Sequence, residues 1–147
     1  MVVSVIMFNV HNWKGVYMSS GMFGYVDVLK TAADASWARE EVLTNNIANV
    51  DTPNYKRQDV EFSSYLANAL QRSGKNSSSL TQRVNNVDYK DISIRTYTDN
   101  STLSYRTDGN NVDLSTENVE LASEQINYNA LIDSMNNEFS RFKSVLK

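Results

Sequence analysis

The stretch Leu43-Thr44-Asn45-Asn46-Ile47-Ala48-Asn49-Val50-Asp51-Thr52-Pro53-Asn54-Tyr55-Lys56-Arg57 decides how this chain folds. Its first half continues a helix and its second half forbids one. Asn49 tolerates the left-handed conformation that closes many helices. Pro53 cannot continue the helix and pushes Thr52 into extended geometry. Thr52-Pro53-Asn54-Tyr55 then reads as a β-turn, with Pro at its second position and Asn at its third.

Upstream of the turn, the spacing predicts a helix over Tyr25–Asn49. Val26, Leu29, Ala33, Ser36, Glu40, Leu43, Ile47 and Val50 recur at intervals of three and four, so one mostly apolar stripe can be buried. Ala32, Ala33, Ala35 and Ala38 are strong helix formers. Residues 1–22 fit nothing that follows and read as a leader or an N-terminal extension, with Met18 and Met22 as alternative starts. A cleavable signal is not expected, because no basic region precedes the apolar Met1–Phe8. Residues 23–50 form the N-terminal helical unit.

Downstream, residues 51–72 hold the Thr-Pro turn and a short helix predicted over Val60–Gln71, with Phe62, Leu66 and Leu70 on one side. Arg72–Ser79 is a polar break within a loop and hairpin region, residues 73–112. There Ile92, Ile94 and Thr96 alternate with polar neighbours, as do Leu103, Tyr105 and Thr107, which predicts a β-hairpin closed by Thr98–Thr102. Residues 113–147 are the last unit, a helix from Leu114 to Leu146. Leu121, Gln125, Tyr128, Ile132, Met135, Phe139, Phe142 and Leu146 step by four and three, which is a heptad seam. Asp113 or Ser115 can cap its start. Glu117, Glu120 and Glu124 lie near the positive end of the helix dipole, and Arg141, Lys143 and Lys147 near the negative end.

A lone amphipathic helix of about 50 Å is marginal in water, so the last seam requires a partner helix. The stripe over Val26–Val50 is the only comparable one, and it is shorter. The fold expected is therefore mainly α. Long N- and C-terminal helices pair as a coiled coil, a small irregular or hairpin middle lies between them, and part of the seam is left for other subunits.

Composition excludes several functions. The net charge is -3, and the 14 Lys and Arg of the 147 residues form no basic stripe, which argues against nucleic acid. There is no Cys, hence no disulfide or thiolate site. No apolar run approaches a membrane span. The single His, His11, supports neither a catalytic triad nor a metal site alone. Glu117, Glu120 and Glu124 lack the His of a bundle metal motif, and the dipole accounts for them. Asp99-Asn100-Ser101 and Asp108-Gly109-Asn110 lack the spacing of a calcium loop and read as turns. No phosphate-binding loop occurs. No catalytic residue, cofactor, metal or small-molecule substrate is expected.

Two motifs make the reading specific. The run Leu43–Arg57 resembles the signature of bacterial flagellar rod, hook and hook-associated proteins, whose N-terminal helix ends in a similar Asn-Asn-Ile-Ala-Asn, Thr-Pro, aromatic run. Asp108-Gly109-Asn110-Asn111-Val112-Asp113-Leu114, followed by Glu117 and a long helix carrying Tyr128, resembles the proximal rod members of that family. The resemblance covers Tyr25–Lys147. It implies a structural subunit, exported unfolded without a cleaved signal, that polymerises with itself and other rod proteins into a hollow axial structure transmitting torque and enclosing the export channel. It further implies a place in the basal body outside the cytoplasmic membrane, beside the membrane ring, a FliE-type adaptor and the export gate. Its assembly motif would be Asn45, Asn46, Ile47, Asn49, Asp51, Thr52, Pro53 and Tyr55. Its coiled-coil seam would be Leu29, Leu43, Ile47, Leu121, Tyr128, Ile132, Met135, Phe139, Phe142 and Leu146. The competing reading is a helical adaptor or export-chaperone-like protein that binds one partner helix; such a protein has no reason to carry both motifs.

Overall fold

The computed structural model describes residues 20–73, 79–87, 89, 92, 94–99 and 106–146, with side chains from residue 24 onward. Two long helices dominate: α1 (Ser20–Ala48) and α4 (Leu114–Val145). They run antiparallel, since Ser36 of α1 meets Glu124 while Asn46 meets Glu117, and they share the largest interface in the chain. The α1 stripe is buried as its spacing requires: Val26, Leu29, Ala33, Ser36 and Leu43 are all enclosed. Ile47 is half-buried. Asp113 caps α4, its carboxylate accepting the Ser115 N–H at 2.9 Å and the Thr116 hydroxyl at 3.1 Å. None of the described helices is long and apolar enough to cross a membrane.

Between the long helices lie β1 (Gln58–Glu61), α2 (Ser63–Ser73), α3 (Leu80–Asn85) and β2 (Arg95–Thr98). α3 packs on α1 and α2. Gly24 permits the approach to α1, because a Cβ there would lie 2.6 Å from Asn85 Oδ1.

Three local expectations are corrected, the first being that Leu80–Asn85, within the segment expected as loop and hairpin, form the helix α3. Val60 is in a strand and the following helix starts at Ser63; Phe62 shares the helical spacing of Leu66 and Leu70 but serves as the cap whose carbonyl accepts the Leu66 N–H. The described sheet joins β2 to β1, whereas most of the second arm of the predicted hairpin lies outside the described residues. β2 pairs antiparallel with β1, Gln58 opposite Thr98 and Glu61 opposite Arg95. All of β2 is exposed, so its register is set by the remote strand rather than by apolar alternation. Leu103 and Tyr105 lie outside the described residues, as does His11. Finally, α1 does not end on a left-handed Asn49. Its last turn tightens through Val50 N–H to Ile47 O, and the left-handed residue is Asn54, φ 61, third in the turn closed by Tyr55 N–H to Thr52 O.

Candidate functional site

The end of α1 and the turn after it leave backbone carbonyls that need donors. Asn110, fully buried, supplies them. Its side-chain N–H group reaches the carbonyls of Asn49 at 3.0 Å, Val50 at 2.9 Å and Thr52 at 3.0 Å, and its Oδ1 accepts the Val112 N–H at 2.7 Å. Around it the two motifs are stitched together. The Asn54 N–H donates to Asp108 O at 2.8 Å, Lys56 Nζ to Gly109 O at 2.6 Å and Arg106 to Val50 O at 3.0 Å. Asn111 accepts the Arg57 N–H at 2.7 Å and donates to Asp99 O at 2.8 Å. Gly109 has φ 75, and a Cβ on it would lie 2.8 Å from Asn54 Oδ1; both the backbone sign and the contact select glycine.

Beneath this clasp sits an ionic core. Arg57 reaches Glu117 at 2.5 Å, Glu120 at 3.1 Å, Asp59 at 3.2 Å and Asp99 at 3.2 Å. Arg39 reaches Glu120 at 2.6 Å, Glu124 at 2.9 Å and Asp59 at 2.9 Å. Glu117, only 1% exposed, also accepts from Asn46 Nδ2 at 3.0 Å, while Asn46 Oδ1 accepts the Gln58 N–H and the Tyr55 hydroxyl. Ser36 donates to Glu124. Planar guanidiniums suit this role because each fork can serve several carboxylates at once.

The electrostatics follow from these partners. Burial disfavours the Arg57 charge, but Glu117, Asp59 and Glu120 outweigh that and hold its proton more tightly than in water. The hydrogen bond to Asp59 does the same for Arg39, helped by Glu124 and opposed by burial. Burial alone would push the Asp59 carboxyl up; the Arg39 hydrogen bond, the Val60 N–H and the Arg57 charge overcome it and hold the group below the ordinary carboxylate range. Burial and the Glu117 charge together raise the Tyr55 hydroxyl.

Glu117, Glu120 and Glu124 therefore do more than answer the dipole: Glu117 and Glu124 occupy the centre of the α1–α4 interface, whereas Gln125 of the heptad stripe is exposed. Arg39, Asp59 and Asp99 carry no sequence signal of this role, and Arg57 drew attention only as the end of a motif. Of the motif residues, Asn46 is buried and Tyr55, Ile47 and Asn49 are half-buried, while Asn45, Asp51, Thr52 and Pro53 face outward. Asn49 bonds locally, to Asn45 O and the Thr52 hydroxyl. Of the seam, Leu29 and Leu43 are buried, and Leu121, Tyr128, Ile132, Met135 and Phe142 are half-buried. Phe139 is 52% and Leu146 87% exposed. Among the described residues, no cluster of His, Cys, Asp and Glu is arranged to hold a metal.

Residues 27–56, spanning α1 and the turn, match the family described as flagella basal body rod protein. The flagellar basal body rod protein FlgB of Bacillus subtilis is 38% identical over 124 residues, covering 84% of this chain and 93% of its own length. The chain belongs to the FlgB family of flagellar basal-body rod proteins. FlgB of Borreliella burgdorferi is 32% identical over 131 residues, covering 84% of this chain and 90% of that one. FlgB of Escherichia coli is 30% identical over 116 residues, covering 74% and 83%. A FlgB-family chain is a structural subunit of the rod, and the adaptor reading is not favoured. In this FlgB-family chain the matched segment includes half of the clasp; the other half, Asp108–Asp113, comes from the segment just ahead of α4.

Proposed function

We propose that the chain assembles at the proximal end of the rod, helps enclose the export channel, and carries torque through its cross-braced helix pair. The observation that carries this reading is the contrast along α4. Its first half is tied by part-buried ion pairs to Arg39 of α1 and by a buried one to Arg57 beyond the turn, whereas the seam residues Phe139 and Leu146 at its far end are exposed. A torsional load needs subunits that do not shear internally, and the clasp provides a brace across α1, β1 and α4. An apolar helix end that no described residue covers is suited to a neighbour. Contacts at the base with the membrane ring, a FliE-type adaptor and the export gate, and export without a cleaved signal, belong to the same reading. Asn45, Asp51, Thr52 and Pro53, exposed on the clasp, are the motif residues available to neighbours.

Phe139 gives the test. It packs edge-on against Phe142, ring centroids 6.4 Å apart, with about half its surface free. Phe139→Asp should leave the purified subunit folded, because the site is open to water. In cells lacking the native chain it should abolish rods, because an interface would bury an unpaired charge. Asn137→Asp, on exposed helix surface, should leave swimming near normal. Normal rods with Phe139→Asp would sink the proposal.

A further inference from the structure

Beside the ionic core, an open trough runs between α1 and α4 on one side and the β1–α2 junction on the other. Its walls are Ala32, Ala35, Val60, Phe62 and Leu131. At one end lie Arg39, Asp59 and Glu124, with the partly exposed Glu120 bonded to the same Arg39. Even with Arg57, which also reaches Asp59 and Glu120, the three carboxylates outnumber the two guanidiniums there, so this end of the trough is mildly negative. From Ala32 to Arg39 it spans about 10 Å of helix, room for roughly two turns of another helix.

The same chain carries a complementary object. The last turns of α4 expose Phe139, Val145 and Leu146, with Arg141 and Lys143 among them. Arg141 is exposed and pairs at 2.8 Å with half-buried Glu138 one turn earlier on the same helix, and Lys143 has no ion pair among the described residues. This is a helix end that is apolar and basic beside a trough that is apolar and acidic.

We propose that the C-terminal end of α4 of a second copy docks in this trough, Phe139 and Leu146 against Phe62 and Leu131, and Lys143 toward the acidic end. The inference deepens the rod reading and rests on it. The two surfaces are different patches of one molecule, so the contact is heterologous and builds an open array rather than a closed dimer. Trough and tip are separated by the α4 residues from Leu131 to Leu146, which sets a stagger of roughly 20 Å between parallel copies.

The test uses cells co-expressing two full-length single variants, Leu131→Cys and Leu146→Cys; the chain has no cysteine of its own. Oxidation of isolated basal bodies should give a linked dimer several-fold above that from Leu146→Cys paired with Val119→Cys, which sits on the outer face of α4. Adding Lys143→Glu to the Leu146→Cys chain should cut the yield several-fold. Equal linking through Val119, linking of Leu146→Cys to a different protein, or a yield indifferent to Lys143→Glu would each overturn the docking. If the chain is present in basal bodies but this pair does not link, only the docking falls. If the chain is absent from basal bodies, the rod reading falls with it.

Discussion

Arg57→Met tests the clasp most directly. The guanidinium is 10% exposed and faces Glu117, whose side chain is 1% exposed. Removing it strands a buried carboxylate, with Asn46 Nδ2 as its remaining donor. Breaking a buried pair from one side costs about 3–5 kcal/mol. Against the roughly 5–15 kcal/mol that holds a small domain together, that is a large share. With a urea m-value near 2 kcal/mol/M, the unfolding midpoint should drop by roughly 1.5–2.5 M. The assay is urea unfolding of the purified chain followed by helical circular dichroism, with m unchanged. Adding Glu117→Leu removes the stranded charge and should recover much of the loss, since a buried pair replaced by apolar side chains is often neutral. Arg57→Lys should fall between, because one ammonium cannot serve carboxylates on several sides. A midpoint shift below about 0.5 M for Arg57→Met, or no recovery in the double variant, would refute the idea that this core holds the helix pair.

The other expectations concern the rest of the clasp. Asn110→Ala removes the donor to three carbonyls and the acceptor of Val112 N–H; a loss of about 2–3 kcal/mol, read as a fall in Tm of roughly 5–10 °C, is expected. Gly109→Ala puts a Cβ on a left-handed residue and against Asn54, so a further melt should show a cost of about 1–2 kcal/mol that Asn54→Ala relieves only in part. Asp59 is held below the ordinary carboxylate range despite burial, and Asp108 and Asp113 are held low first by the backbone N–H groups of Asn110 and Ser115. Because these folded values lie below the unfolded ones, their contribution is present above about pH 4 and is lost as pH falls through the lowered values. The urea midpoint should therefore decline below about pH 4, less steeply in Asp59→Asn; a midpoint that held or rose on acidification would contradict the ion-pair assignment.

Local rules made the long elements legible. Apolar spacing placed both helices, Pro53 and Asn54 placed the turn, and Asp113 announced its helix, because these signals act over a few residues of chain. The stripe from Val26 to Leu43 could be read as buried before any partner was known. The two motifs lie on the segments that meet in the clasp. Periodicity could not say that they touch each other. Asn110 and the carbonyls it caps lie on opposite sides of the middle region, and a helix end orphans its carbonyls whatever sequence later supplies the donor. Nor could it separate Glu117 from an ordinary surface glutamate. A buried carboxylate needs compensating partners, and its guanidinium, Arg57, is held in place just ahead of β1, whose own partner is β2. Charge at a seam position looks like solvent-facing charge until tertiary packing removes the water. The sequence by itself thus determined where the two long helices form and that Pro53 stops the first, but not α3; only the tertiary structure decided which polar groups are buried together, because a side chain's pairing depends on neighbours that local spacing does not encode.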